Sequence, residues 1–525
     1  MRTSLSWFLV ALAFLFSGTA RAQCMVDSLT PTILGFGASV EVNGDWAFVG
    51  APSVSSSNPP PRVEVYRRTG GDWIPVQTLM TPILGSSFGR QLVSDGEWLF
   101  VWGRENSATG SELFVYRLVG GTWSPTQTIP APAAGTPLHD LALEGGVAVV
   151  GWRTGTVGFG YGDTVLVFEE SGGTWLETAQ LPPFGAGDPR GFGATVAVTD
   201  GWIGVGTPFH SEPGGPIRTG GVYLYERGAA TWAGHSVLVP VDAGESDAYG
   251  TSIAASAGRI AFGAQTFAGR VQVYARSGGA WIREDALAPD ADAYFPYFGL
   301  GGFGYALDLD GGRLVATAPE FFGISSRTGA GFVFERGAAG WQQRGRFFNE
   351  NGVGNEFFGE SIALSGDAIF ATLNSAFDDV IVHDVSMGAN FRYCVAAPNS
   401  DFPEGAQMEW EGSLSVGTND FTVRVSRTPF SQFGLFLYGT SPTQTPLADG
   451  FLCVGGSIVR LGAPVLMNGL APTRLDLDLT ALQTNSGTVT VTPGTTLFFQ
   501  TWFRDTPAVG SGANLSNGLS VQFCP

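Results

Sequence analysis

The chain has 525 residues, 44% of them apolar, with 76 glycines, 39 phenylalanines and a formal net charge of −19. That length exceeds one ordinary domain, and the apolar content excludes a disordered chain. All 27 basic residues are arginine, and so acidic a chain is not expected to seek nucleic acid or anionic lipid.

Residues 1–22 read as a secretory signal peptide. Arg2 supplies the charge, LSWFLVALAFLF the apolar segment, and ARA before Gln23 the small-residue cleavage site. The run is short for a membrane span, and no later run approaches the length of one. The chain is therefore expected to be secreted or envelope-associated, without a transmembrane segment.

From Phe36 a pattern recurs: FGASVEVNGDWAFVGAP, then copies beginning at Ser87, Leu138, Gly191, Ala248, Gly302 and Phe357. Seven copies spaced by roughly fifty to sixty residues match the period of a propeller blade. Each of the first six is followed by a second alternating segment with a glycine-rich turn and a tryptophan: Trp73, Trp123, Trp175, Trp232, Trp281 and Trp341. Alternation on both sides of such a turn is a hairpin signal, so a unit is four antiparallel strands. The tryptophans are expected to pack between units.

The seventh copy ends after VIVHDVS, Val380 to Ser386, without a tryptophan hairpin. MVDSLTP, Met25 to Pro31, resembles the fourth-strand ending VQTLMTP at Val76 to Pro82. The predicted fold is thus all-β: a seven-bladed β-propeller over 23–388, closed by an N-terminal strand. Closure removes exposed sheet edges.

The units resemble the FG-GAP repeats of integrin α-like propellers, most closely their bacterial secreted form. Phe36-Gly37 and Gly50-Ala51-Pro52 carry the resemblance. Calcium-binding members have Asp-x-Asp-x-Asp-Gly-x-x-Asp between the first two strands. Here that place holds VNGDW, SDGEW, EGGV, TDGW, SAGR and SGDA, with two acids at most. The nearest groupings are Asp308 with Asp310, and Asp242, Glu245 and Asp247 in the loop before the fifth copy. Calcium needs several converging oxygens, so no metal or other cofactor is expected.

The connections from second to third strand, and from fourth strand to the next unit, vary in length and composition, as binding loops on a rigid scaffold do. Their most suggestive group is Tyr294, Phe295, Tyr297 and Phe298, beside Asp290 and Asp292, with Phe321 and Phe322 from the neighbouring loop. Such aromatics could stack on a sugar, seat a protein partner, or simply cover the ring's own core. His139, His210, His235 and His383 fall in different units without metal-ligand spacing. No nucleophile elbow, zinc motif or phosphate loop is present.

From about Asn390 the repeat gives way to short alternating runs such as FTVRVS, FGLFLYG, RLDLDLT and LFFQTWFRD. They predict a C-terminal antiparallel β-sandwich of seven or eight strands over 389–525. Arg504-Asp505 reads as an ion pair fixing a strand end. Four cysteines, Cys24, Cys394, Cys453 and Cys524, favour two disulfides, with three pairings open.

The segment resembles a C-terminal module of secreted planctomycete-type proteins, through Tyr393-Cys394, GLFLYG, GFLCVGG, FFQTWFRD and NLSNGLSVQFCP. That resemblance implies a Cys394–Cys453 bridge, and Cys24 would then pair with Cys524. The expected function is that of a non-enzymatic monomer binding an unidentified protein or glycan, or serving in adhesion. The alternatives are a polysaccharide hydrolase or lyase on a propeller scaffold, and a structural envelope component.

Overall fold

The computed structural model describes residues 24–525 except 30–34, 53–59, 71, 82–86, 105–110, 134–135, 154–163, 230, 265–268, 290–301, 321–328, 339, 348–356, 374–378, 385–390, 395, 404, 413, 470, 507–509 and 525. Every regular element among them is a β-strand. Short alternating runs broken by glycine leave no segment with a helical apolar stripe.

Among the described residues before 385, the strands form seven four-stranded antiparallel sheets in the arrangement of a β-propeller. In the first, Ser39–Asn43, Trp46–Ala51, Arg62–Thr69 and Asp72–Met80 pair in chain order. The next five sheets repeat that order. In the last, Ile362–Ser365, Ala368–Thr372 and Val380–Asp384 are joined on their outer side by Cys24–Leu29. The register runs from Cys24 opposite Asp384 to Leu29 opposite Val380. The expected pairing of chain start and incomplete unit is therefore present. The first strands adjoin one another in chain order, and Ile362–Ser365 adjoins Ser39–Asn43.

The contacts between sheets explain the repeat signature. Gly89 sits at φ +86°, and its carbonyl lies so close to the Cα of Gly50 that a Cβ on Gly50 would collide with it. Ser39 Oγ donates to that same carbonyl at 2.8 Å. Ser252 Oγ to Gly304 O, Thr195 Oγ1 to Gly250 O and Thr317 Oγ1 to Gly359 O repeat this latch. One motif glycine reaches the left-handed region, and the other admits its neighbour's backbone.

The tryptophans lie between sheets, as expected. Trp123 stands edge-on to Phe48 of the preceding sheet at 5.1 Å, Trp175 to Phe100 at 4.9 Å, and Trp73 to Phe370 of the last sheet at 5.0 Å. All six are buried. Gln77 and Gln127 add a two-way clamp. Each side-chain amide donates to, and accepts from, the backbone of the next sheet's Trp123 or Trp175, at 2.8–2.9 Å.

Beyond residue 390 two main sheets share one apolar core. One follows the order Phe391–Tyr393, Gly518–Gln522, Thr496–Arg504, Phe430–Gly439, Val459–Asn468, with Ala513–Leu515 paired to Thr496–Arg504. The other joins Gln407–Gly412, Phe421–Ser426 and Thr473–Leu477. Phe421, Val423, Phe436, Tyr438 and Phe499 are among the core residues. The hairpins Ser441–Leu447 with Gly450–Gly455, and Leu482–Thr484 with Gly487–Val489, stand apart from both sheets.

Cys394 and Cys453 form a disulfide, and Cys524 is also disulfide-bonded. The Cys24 side chain lies outside what is described. The expected Arg504–Asp505 pair is replaced by a different arrangement. Asp505 is buried and accepts from Ser400 N at 3.1 Å and from Asn514 Nδ2 at 3.3 Å, whereas Arg504 is exposed. Backbone and amide donors at fixed positions satisfy a buried carboxylate without desolvating a second charge.

Candidate functional site

The seven first strands surround an axial cavity of about 420 Å³, lined by Glu41, Ser94, Asp140, Asp308, Asp310 and Ser365 among others. It lies where these strands turn into the second strands, so the turn residues form its rim.

Its carboxylates reach from one sheet to the next. Glu41 Oε1 accepts from Ser94 N at 3.1 Å and Ser94 Oγ at 3.0 Å. Asp140 Oδ2 accepts from Val196 N, and Asp308 Oδ2 from Leu364 N, at 2.8 and 2.7 Å. At the turns Asp95 accepts from Gly145 N, Glu144 from Asp200 N and Asp310 from Gly366 N. The hydroxyls of Ser256 and Ser365 do the same for Gly311 N and Gly44 N. These groups therefore cap backbone donors of the neighbouring sheet.

Burial shifts their protonation. Glu41 is pushed up to about 8, mainly by loss of water and further by the charge of Asp308, while its hydrogen bonds from Ser94 pull the other way. Asp140 and Asp308 rise to about 6 for the same leading reason, against the pull of the backbone N–H groups they hold. Glu144, at the rim, also rises to about 6. Burial disfavours the ionised form of a carboxyl.

Asp308 and Asp310 share a face, as alternate strand residues do, and both are engaged with the next sheet. Asp242 instead makes a two-pronged pair with Arg283 at 3.1 Å, Asp247 caps Gly244 N at 2.5 Å, and Glu245 is exposed. Among the described residues no group of three or more His, Cys, Asp or Glu could hold a metal ion. Tyr294, Phe295, Tyr297, Phe298, Phe321 and Phe322 lie outside the described residues, as do Asp290 and Asp292.

The variable connection 209–220 is among the described residues. His210 is buried, with Nδ1 3.3 Å from Tyr223 Oη and Nε2 3.2 Å from Glu212 Oε1. The loop meets the connection to the fifth sheet through Ser246 N to Ile217 O and Ala248 N to Arg218 O, at 3.0 and 3.1 Å. Two variable segments thus sit side by side on one face. His383 is buried against Phe347 and Phe358 and pushed down to about 3 by burial. His139 is half-buried, and its carbonyl accepts from Gln91 Nε2 at 3.1 Å.

Glu41 and Asp140 escaped the sequence reading, and Asp308 entered it only as a metal candidate, because the partners they cap lie 50 or more residues away. The available signal was an acid at an inward position of a first strand, as in SVEVN, LHDLALE and LDLD.

No family model matches the chain, and no curated protein matches it. Among solved structures it is similar to a chain of the "Crystal Structure of Mitotic Checkpoint Complex", at 11% identity and a TM-score of 0.43, over 73% of this chain and 99% of that one. A second similarity is to a "putative 6-phosphogluconolactonase from Bacteroides uniformis", at 10% identity and a TM-score of 0.39, over 60% and 86%.

Proposed function

We propose that this is an exported, non-enzymatic binding or adhesion protein: a seven-bladed FG-GAP-like propeller closed by Cys24–Leu29 and followed by a C-terminal β-sandwich module. Residues 1–22 direct its export, and its place is outside the cell or on the envelope. It acts as a monomer, without a cofactor, and presents its variable loops to a protein or glycan.

The observation that carries this reading is the use of the axial carboxylates as caps between sheets. Groups so engaged stiffen a scaffold, and a stiff scaffold lowers the ordering cost of binding by its loops. The test is a glycan array together with a pull-down from envelope extracts. The Tyr294→Ala, Phe295→Ala, Tyr297→Ala variant is expected to lose most of the signal. Undiminished signal removes that patch from the reading. A chain that fractionates wholly with the insoluble envelope and captures nothing supports a structural component instead.

A second reading, a polysaccharide hydrolase or lyase, draws on Glu41. A carboxyl pushed up to about 8 is protonated at neutral pH, and Asp308 is near enough to influence it. One protonated and one ionised carboxyl is the pairing a glycosidase needs. Release of reducing ends or unsaturated products, abolished by Glu41→Gln, would support this reading, and its absence across polysaccharide classes would remove it.

A further inference from the structure

The C-terminal region holds a second cavity, a cleft of about 780 Å³ on the side of the larger sheet that faces away from its core. Its floor follows from strand alternation. Phe436 and Tyr438 point into the core, so Leu435 and Leu437 point out. Register extends the floor sideways: Leu435 lies opposite Trp502, and Trp502 opposite Leu515. Leu447 and Leu452 of the separate hairpin form one wall, with Ile458 beside them. Leu447 and Ile458 are exposed to solvent.

The polar groups gather at one edge. Arg460 lies opposite Leu437 across the strand pair and is exposed, with no carboxylate partner among the described residues. Gln483 and Asn485 stand near it, each with part of its amide already committed: Gln483 Oε1 to Gly462 N, and Asn485 Nδ2 to Ile458 O. An aliphatic trough with one cation at its rim is complementary to an aliphatic chain with one negative head. A sugar would leave ring hydroxyls unpaired against leucine, whereas an alkyl chain loses nothing by that burial. The volume falls within the range of small-molecule sites.

We propose that this cleft binds a free long-chain carboxylate, its hydrocarbon along Leu435, Leu437 and Trp502 and its head on Arg460. The inference goes beyond the propeller reading and is independent of it, because no propeller residue lines the cleft.

Titrating dodecanoate into the full mature chain, followed by calorimetry, tests it. One saturable site per chain is expected. Arg460→Gln should weaken dodecanoate roughly tenfold, as the loss of one charge-assisted contact does, and leave dodecanol unaffected. Leu447→Glu, at an exposed lip position where folding is not at stake, should weaken both. Saturable binding with that pattern supports the site. Non-saturable uptake, binding indifferent to both variants, or binding seen only with anionic phospholipid vesicles would overturn it.

Discussion

The propeller and the C-terminal region solve the same problem, holding β-sheets face to face, by opposite means. In the propeller a few contacts recur: the motif glycine against the next unit's backbone, the tryptophan edge-on to a phenylalanine, the glutamine clamp and the capping acid or serine. In the C-terminal region each contact is used once, in a single core with a Cys394–Cys453 bridge and a set of buried polar partners such as Gln500, Asn514 and Asp505. Repetition spreads stability over equivalent interfaces, whereas a single core concentrates it.

That difference can be broken first at the tryptophans. Trp175→Ala removes the ring packed on Phe100 and is expected to cost about 3–5 kcal/mol. Trp123→Ala should cost a similar amount in the urea midpoint of the propeller, since its surroundings are equivalent. Strongly unequal costs would contradict the equivalence. Next comes the bridge: replacing Cys394 and Cys453 together by serine should cost about 2–4 kcal/mol. Calorimetry should show that loss in one transition, with the propeller's transition unmoved.

Gln127→Ala strands the backbone N–H and carbonyl of Trp175, both otherwise clamped by the amide. An expected cost of about 1–3 kcal/mol, repeated at Gln77, would separate the clamp from the ring packing.

The axis adds a pH dependence, read as a slope rather than as the loss of one contact. Glu41 has a folded pKa of about 8 against an ordinary value of 4.5. Between those values the unfolded chain ionises while the folded one keeps its proton, so stability falls as pH rises from about 4.5 to 8 and then levels. Asp140 and Asp308 add the same sign between about 4 and 6. Thermal melts should therefore show propeller stability declining from mildly acidic to mildly alkaline pH, and Glu41→Gln should flatten the upper part of that decline. An unchanged slope would remove Glu41 from the explanation.

Much of the propeller was legible because its strands alternate strictly and its tryptophans recur in register. The unfinished last unit was legible for the same reason, since a missing fourth strand shows against six complete ones. What escaped was everything carried between units by single polar atoms. Glu41 in SVEVN looks like a solvated strand acid, and only the neighbouring sheet turns it toward Ser94.

In the C-terminal region the hairpin strand Ser441–Leu447 was missed because SPTQTPL, with two prolines, reads as loop. The cleft drew no attention either, since its lining comes from seven separate strands and the turns beside them. Its one available signal was FGLFLYG, where an unbroken apolar run marks a strand covered on both faces.

The central claim is that the strand Cys24–Leu29 completes the last sheet. Hydrogen–deuterium exchange on the chain tests it directly. The amides of Cys24–Leu29 should be protected for as long as those of Val380–Asp384, and deletion of 24–29 should release the latter. Rapid exchange of Cys24–Leu29, or unaltered protection of Val380–Asp384 after the deletion, would contradict a ring closed in this way.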